Sequence, residues 1–381
     1  MTVEPPTTRL LRELIALPSV NPAFLPAKDP RAGEHRVADF LAAQSARGGL
    51  DIEFRPVFLK RSNVLAHFTP SGSVQQRILL APHTDTVGEA AMPAALFDPR
   101  IRAGRLYGRG ACDTKGSVAA MLTALLDVAN SRQRPKHTAI TFAGLVDEEN
   151  AQQGSRALAR EKFKANLAIV GEPTNLQVVT AHKGDLWLRL ETFGKSAHGA
   201  RPELGRNAVH EMARIVDLLE TKYAATLRRR KHPLLRHPTV NVGSIAGGTQ
   251  PNIVPARCEI SVDRRTIPGE TEASVRREIM ALLRKHGFHA RLINSKEAPC
   301  VPLETDSKLP LVQQLFRTVG QTRAVGVDFF CDAAVLAGGG IPSVVFGPGD
   351  IAQAHTADEW ISLRSLERAT GLLTKFLLSL P

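Results

Sequence analysis

The stretch HTAITFAGLVDEENAQQGSRALAREKFKANLAIVGEPT, from His137 to Thr174, reads as strand, helix, strand. HTAITFAGLV is β-branched and apolar and predicts a strand. QQGSRALAREKF predicts a short helix, and ANLAIVG a second, fully buried strand. The first strand ends at Asp147, Glu148 and Glu149, and the second at Glu172. Strands alternating with helices predict an α/β domain with a largely parallel, mixed sheet. In an open parallel sheet, ligands bind in the crevice at the carboxyl ends of the strands.

The same arrangement recurs on either side of this stretch. RILLAPHTD delivers His83 and Asp85 after a strand-like run. GRGACDTKG holds Asp113 in a glycine-rich turn, before helical spacing from Gly116 to Val128. SVVFGPGDIAQAHTADEW places His355 a short loop beyond another strand. Two histidines and several carboxylates at strand ends predict a metal site, with more ligands than one ion needs. Asp85 lies two residues after His83, so both point to one side of a strand, and Asp85 can accept the second ring N–H. Toward the start, Thr7 or Thr8 is the expected cap of a first helix, and a second is expected from Glu34 to Ala46.

Near Val178 the pattern changes. VVTAHKGDLWLRLETFG alternates like a half-exposed antiparallel strand. A helix from Asn207 to Leu227, strands at PTVNVGSIAGG and ARCEISVDRRTI, a helix from Glu272 to His286 and a strand at HARLINS follow. The order strand-helix-strand-strand-helix-strand resembles a ferredoxin-like α+β unit. The expected map is a discontinuous catalytic domain, 1–177 and 296–381, with an inserted lid or dimerisation domain, 178–295.

Composition narrows the functional classes. Hydrophobic content of 43% with 23% charged residues fits a globular protein. No apolar stretch is long enough to span a membrane, and MTVEPPTTRLLRELIAL lacks the basic and apolar regions of a secretion signal, so the expected location is the cytoplasm. Cys112, Cys258, Cys300 and Cys331 form no CxxC pair, which argues against a zinc knuckle or disulfide framework. The net charge of +12 raises nucleic-acid binding, but only 5% of residues are aromatic and no stacking surface or known module is visible. The densest basic run, LRRRKHPLLRH from Leu227 to His237, reads as a helix end and a solvated loop. No GxSxG elbow or reactive-cysteine motif supports a serine or cysteine hydrolase.

The motifs together resemble the M20 metallopeptidase and amidohydrolase family. HTDTV, GRGACDTKG, DEE, GEPT, KSAHGARP, GGTQPNIVPARCEISVDRR and QAHTADEW come in the family order and cover essentially the whole chain. The resemblance implies two divalent ions, zinc with cobalt or manganese able to substitute. His83 and Glu172 would hold one ion, Glu149 and His355 the other, and Asp113 both. It also implies a cis bond after Asp113. Glu148 would be the general base, facing away from its ligand neighbour Glu149. A degenerate, non-catalytic relative would have lost some of these residues, and all are present.

In the inserted domain, the resemblance gives His198 a role in holding the oxyanion across a homodimer, and gives Asn252 and Arg265 substrate contacts. Arg264 and Arg265 are adjacent on a strand, so only one of them is expected to face the site, and Arg265 is favoured. Gly339, in the Gly338–Gly340 turn, would lie close to substrate. FGPGDIAQAHTADEW is closest to acetylornithine deacetylases, which implies hydrolysis of N-acetyl-L-ornithine to ornithine and acetate. Succinyl-diaminopimelate desuccinylase, or a broader aminoacylase or carboxypeptidase, is the alternative. One departure stands out: the Thr that commonly neighbours an acid in the family is Cys331 here, beside Asp332. Asp332 can pair with a basic substrate side chain such as ornithine's ammonium.

Overall fold

The Leu167–Gly171 strand is buried along its whole length, so both its faces must be covered by other layers. The computed structural model describes residues 4–88, 91–294 and 300–381. In them, this strand lies inside a mixed sheet ordered Asp51–Phe58, Arg61–Phe68, Thr138–Gly144, Gln76–Pro82, Leu167–Gly171, Ser343–Val345, Val179–His182. The pairings among Thr138–Gly144, Gln76–Pro82, Leu167–Gly171 and Ser343–Val345 are parallel. Antiparallel pairings flank this parallel core. His83 and Asp85, Asp147 to Glu149, and Glu172 follow the carboxyl ends of three of the parallel strands; His355 lies a loop beyond the fourth, and Asp113 follows Arg105–Tyr107, a strand of a separate three-stranded sheet.

Helix Lys115–Ala129 explains how Asp113 is placed. It is apolar nearly all round, and Met121, Leu122 and Leu125 are wholly buried. Each such side chain contributes roughly 1.5–3 kcal/mol on burial, enough to fix the helix against the sheet. Its outer side packs against helix Leu363–Leu378. Asp113 sits just before its first turn. Gly171 allows the neighbouring approach: a Cβ there would lie 2.7 Å from the Ser117 side chain and 2.9 Å from Pro82. The next residue is Glu172.

The chain divides into two units: Met1–Thr180, Thr305–Val325 and Cys331–Pro381, and Ala181–Glu304 with Gly326–Phe330. The second has its own apolar core and a four-stranded sheet ordered Thr239–Gly247, Arg257–Thr266, Gly184–Phe193, Ala290–Asn294. Every pairing in it is antiparallel. With helices Ala208–Leu218 and Glu272–Lys285 in chain order, that is the ferredoxin-like arrangement. This unit reaches beyond residue 295 because Cys300 exchanges backbone hydrogen bonds with Asp185, and Lys183 binds Val327 O and the Asp328 carboxylate. The expected boundary at Ser295 lies outside the described residues.

Three local expectations are corrected. The first helix runs Pro6–Ile15, with proline supplying the start, so neither Thr7 nor Thr8 caps it. Both threonines are buried and bond instead to Thr370 and Glu367 of the last helix. The expected strand from Val178 is two strands, Val179–His182 and Gly184–Phe193, interrupted at Lys183. Helix Ala208–Leu218 passes through a π-turn at Leu219–Tyr223 before resuming.

The basic run is partly a structural network. Arg230 pairs with Glu270 and Glu278, and His232 with Glu304. His182 is another buried group of this unit, and burial lowers its pKa to about 4. In the unfolded chain it would take a proton near pH 6.5. The unfolded state then binds more protons between these values. Stability present above about pH 6.5 is therefore lost as pH falls toward 4, by on the order of 3 kcal/mol at most. Urea unfolding of His182→Leu between pH 7 and 4 is expected to show a flatter acid limb than the parent.

Candidate active site

His83, Asp85, Asp113, Glu148, Glu149, Glu172 and His355 come together in the larger unit. His83 Nε2 is 3.1 Å from Asp113 Oδ1 and 3.9 Å from Glu172 Oε1. His355 Nε2 is 3.2 Å from Asp113 Oδ2 and 3.2 Å from Glu149 Oε2. Asp113 therefore turns one oxygen to each histidine, and each histidine has a second carboxylate beside it. The bond from Asp113 to Thr114 is cis. His355 is the open side of this group, with 56% of its side chain exposed, whereas the acids and His83 are nearly enclosed.

The donor set fits divalent cations. Ligand atoms of His83, Asp113 and Glu149 all lie within 4.8 Å of one another. Glu149 Oε1 and Glu172 Oε1 are buried and accept no hydrogen bond among the described residues. Imidazole nitrogen with carboxylate oxygen suits zinc, and equally other transition ions.

Charge in the cluster is unbalanced without a cation. Burial pushes Glu148 well above the usual carboxylate range, aided by Glu172, Asp332 and Glu149 and opposed by His83. Burial and the Asp113 charge raise Glu149 to about 7. Burial likewise raises Glu172. Bonds to Asp113 and Glu149 raise His355 to about 10. Burial pulls His83 down, but Asp113, Asp85 and the charges of Glu172 and Glu148 outweigh it. Asp113 is held low, because its bonds to both histidines overcome its burial.

Asp85 does more than the sequence implies. His83 Nδ1 is closest to the Asp85 backbone carbonyl, at 3.0 Å, with the carboxylate at 3.4 Å. That carboxylate accepts the peptide N–H groups of Glu148 and Glu149, each at 3.1 Å. It thus fixes the turn that carries both acids. The turn opens at Asp147, whose φ of 70° is in the left-handed region that aspartate tolerates better than most residues.

Asp332 is buried in the first turn of helix Asp332–Gly338, and its Oδ1 accepts from Ser155 Oγ at 2.6 Å. Burial raises it to about 6, and its charge acts on Glu148 and Glu172. Gly339 has a packing role of its own. It follows the far end of that helix, and a Cβ there would meet Ala159 at 2.8 Å. Its lack of a side chain lets helix Gln153–Arg160 pack close.

The second unit carries His198, Asn252 and Arg265. The Gly199 N–H donates to Asn252 O at 2.7 Å, so the His198 and Asn252 segments are neighbours. Arg264 and Arg265 take opposite sides as alternation requires. Arg264 is wholly buried against Tyr223 and Glu270. Arg265 is partly exposed and held by Asp263 at 2.9 and 3.0 Å.

Several residues around the cluster escaped the sequence reading. Glu359 accepts the N–H groups of Gly110, Cys112 and Asp113, and Asn21 links the Asp85 and Asp147 carboxylates. Glu359 stands in the quoted QAHTADEW motif, where its acidity was the available signal. Asn21 caps the turn that follows it, but its contacts to Asp85 and Asp147, like those of Glu34 and Arg61, join segments distant in sequence and leave no local signal.

A histidine–carboxylate cluster at the ends of parallel strands, with a βαββαβ unit inserted in the chain, defines a metal-dependent hydrolase. Residues 79–379 match the family described as Peptidase family M20/M25/M40. The chain belongs to that family, whose members hydrolyse amide bonds. It is 32% identical to acetylornithine deacetylase of Proteus mirabilis (strain HI4320), across 98% of this chain and 96% of that protein. The acetylornithine deacetylase of Myxococcus xanthus is also 32% identical, across 88% and 90%. Among solved structures, aminopeptidase PepT from Bacillus cereus has a TM-score of 0.77 at 22% identity, covering 98% of this chain and 97% of that one. The M20 family metallo-carboxypeptidase Sso-CP2 from Sulfolobus solfataricus has a TM-score of 0.77 at 20% identity, covering 98% and 99%.

Proposed function

We propose that the protein is a dinuclear-metal deacetylase that cleaves N-acetyl-L-ornithine to ornithine and acetate. The observation that carries the dinuclear reading is Asp113, with one oxygen at each of two histidines. His83 and Glu172 would hold one ion, His355 and Glu149 the other, and Asp113 would contribute to both. Bound there, divalent cations such as zinc, or cobalt or manganese in its place, supply positive charge that polarises an amide carbonyl and acidifies water.

The remaining work falls to side chains of this chain. Glu148 takes the proton from the attacking water and delivers it to the leaving amine. A carboxyl whose affinity for protons is raised by burial is suited to both halves of that transfer. By resemblance to the family, His198 would help hold the oxyanion and Asn252 would contact the substrate. Arg265 keeps N–H donors beyond those given to Asp263, and these suit a substrate α-carboxylate. Asp332 adds buried negative charge beside Glu148 and Glu172, which favours a cationic substrate side chain such as ornithine's.

Relatives named acetylornithine deacetylase support this choice of substrate. A homodimer through the second unit belongs to the same reading. Among the described residues its Thr239–Gly247 strand pairs on one side only; it lacks charged side chains and exposes Ile245, features that favour pairing with another chain. A cytoplasmic location is proposed with it, and no described helix is long and apolar enough to cross a membrane.

The test is hydrolysis of N-acetyl-L-ornithine against N-succinyl-L,L-diaminopimelate by zinc- or cobalt-loaded protein. A kcat/KM at least about 100-fold higher for the acetyl substrate is expected, equivalent to about 2.7 kcal/mol of transition-state discrimination. Preference for the succinyl substrate would replace the substrate assignment and leave the metal assignment standing.

A further inference from the structure

The two loops that present the proposed base and ligands hang from buried carboxylates outside the proposed ligand set. In the Asp147–Glu149 turn, three consecutive peptide N–H groups are taken this way. Asp147 donates to Glu34 Oε1, and Glu148 and Glu149 donate to Asp85, each at 3.1 Å. The Asp113 loop repeats the pattern. Gly110, Cys112 and Asp113 donate to Glu359 at 2.8, 2.8 and 2.9 Å. Glu34 is wholly buried and Glu359 nearly so.

Glu34 and Glu359 each carry one arginine. Arg61 donates to both oxygens of Glu34, at 2.6 and 2.7 Å, and to Asp147 Oδ1 at 3.2 Å. Arg109 Nη1 donates to Glu359 Oε2 at 3.0 Å. Buried ion pairs contribute little net stability, and well-packed apolar groups often do as well or better. What an apolar replacement cannot supply is an acceptor for a peptide N–H. These loop peptides have no sheet partner, and unpaired buried N–H groups would let the loops reorganise. A loop shifted by a fraction of an ångström would move Glu148, Glu149 or Asp113 off the geometry that an active site requires.

We propose that Glu34 with Arg61, and Glu359 with Arg109, are positioning residues that hold the base turn and the Asp113 loop in register. Neither pair touches the reacting atoms. The arginine sets a positive charge against the buried acid, and the acid supplies the acceptors that fix the peptide chain. The proposal rests on the metal-site reading above.

The test uses full-length Glu34→Gln and Glu359→Gln. All the groups bonded to Glu359 are donors, so an amide NH₂ there must meet at least one N–H head on. Metal affinity, read by competition with a chromophoric chelator, is expected to fall about 10–100-fold, and kcat by a similar factor with KM nearly unchanged. Arg61→Lys, which keeps the charge but loses the two-bond fork on Glu34, and Arg109→Lys, which keeps the charge without the planar guanidinium, are expected to move both readouts in the same direction by less, and they serve if a Gln variant fails to fold. Wild-type protein that binds no divalent metal would overturn the site reading and the proposal with it. Wild type that binds metal, with variants matching it in affinity and kcat while losing only Tm, would overturn the positioning role alone.

Discussion

Replacing Glu148 with glutamine is expected to lower kcat about 10²–10⁴-fold, the usual contribution of a placed general acid–base group. The substitution keeps the shape of the side chain and the peptide N–H on Asp85. It removes the carboxylate that takes a proton from water and returns it to the amine. KM and metal content are expected to stay close to wild type, because Glu148 is outside the proposed ligand set. Steady-state kinetics beside a metal assay on the same preparation separates the two. A variant with kcat within tenfold of wild type would remove Glu148 as the base.

Chelation is expected to abolish turnover and to lower the Tm. Stripped of cations, Asp113, Glu149 and Glu172 crowd together, and protons on His83 and His355 stand in for the missing charge. Metal ligands must shed those protons, so affinity is expected to weaken as pH falls. The sign follows from the shifts: His355 holds its proton up to about pH 10 in the metal-free cluster, so binding strengthens as pH rises toward that value. Restoring metal at 100 times its Kd stabilises the folded chain by about 2.7 kcal/mol per site. Thermal melts with and without chelator, at pH 6 and pH 8, check both the stabilisation and its sign. A Tm indifferent to chelator and to added zinc would contradict a cation-balanced cluster.

How much of this could be read from the residues depended on how local the determinant was. His83, Glu148, Glu149 and Glu172 were legible because each follows an apolar run, and strand ends converge in a parallel sheet. The opposite fates of Arg264 and Arg265 were legible from strand alternation alone. The inserted unit was legible as an order of elements, and its four-stranded antiparallel sheet follows from that order. Thr7 and Thr8 misled, since a cap-forming residue type says nothing of the last helix, which Thr370 and Glu367 bring alongside. The packing of Gly339 on Ala159 was not legible, because a glycine that serves packing looks the same in sequence as one that serves a ligand. Glu34 and Arg61 were beyond reach. Their pairing joins the start of one helix to a strand, and their target, the Asp147 peptide, lies more than 80 residues further on. The backbone hydrogen bonds of Asp85 were hidden in the same way, because side-chain acceptance of a distant peptide N–H leaves no pattern in the chain.

The most direct measurement is the metal content of zinc-loaded, dialysed protein, alongside His83→Ala and His355→Ala. Two ions per wild-type chain, falling to one in either variant, is the expected result, because Asp113 divides its oxygens between those histidines. One ion per wild-type chain would contradict the dinuclear assignment, and two ions retained in both variants would remove His83 and His355 as the ligands that divide Asp113 between them.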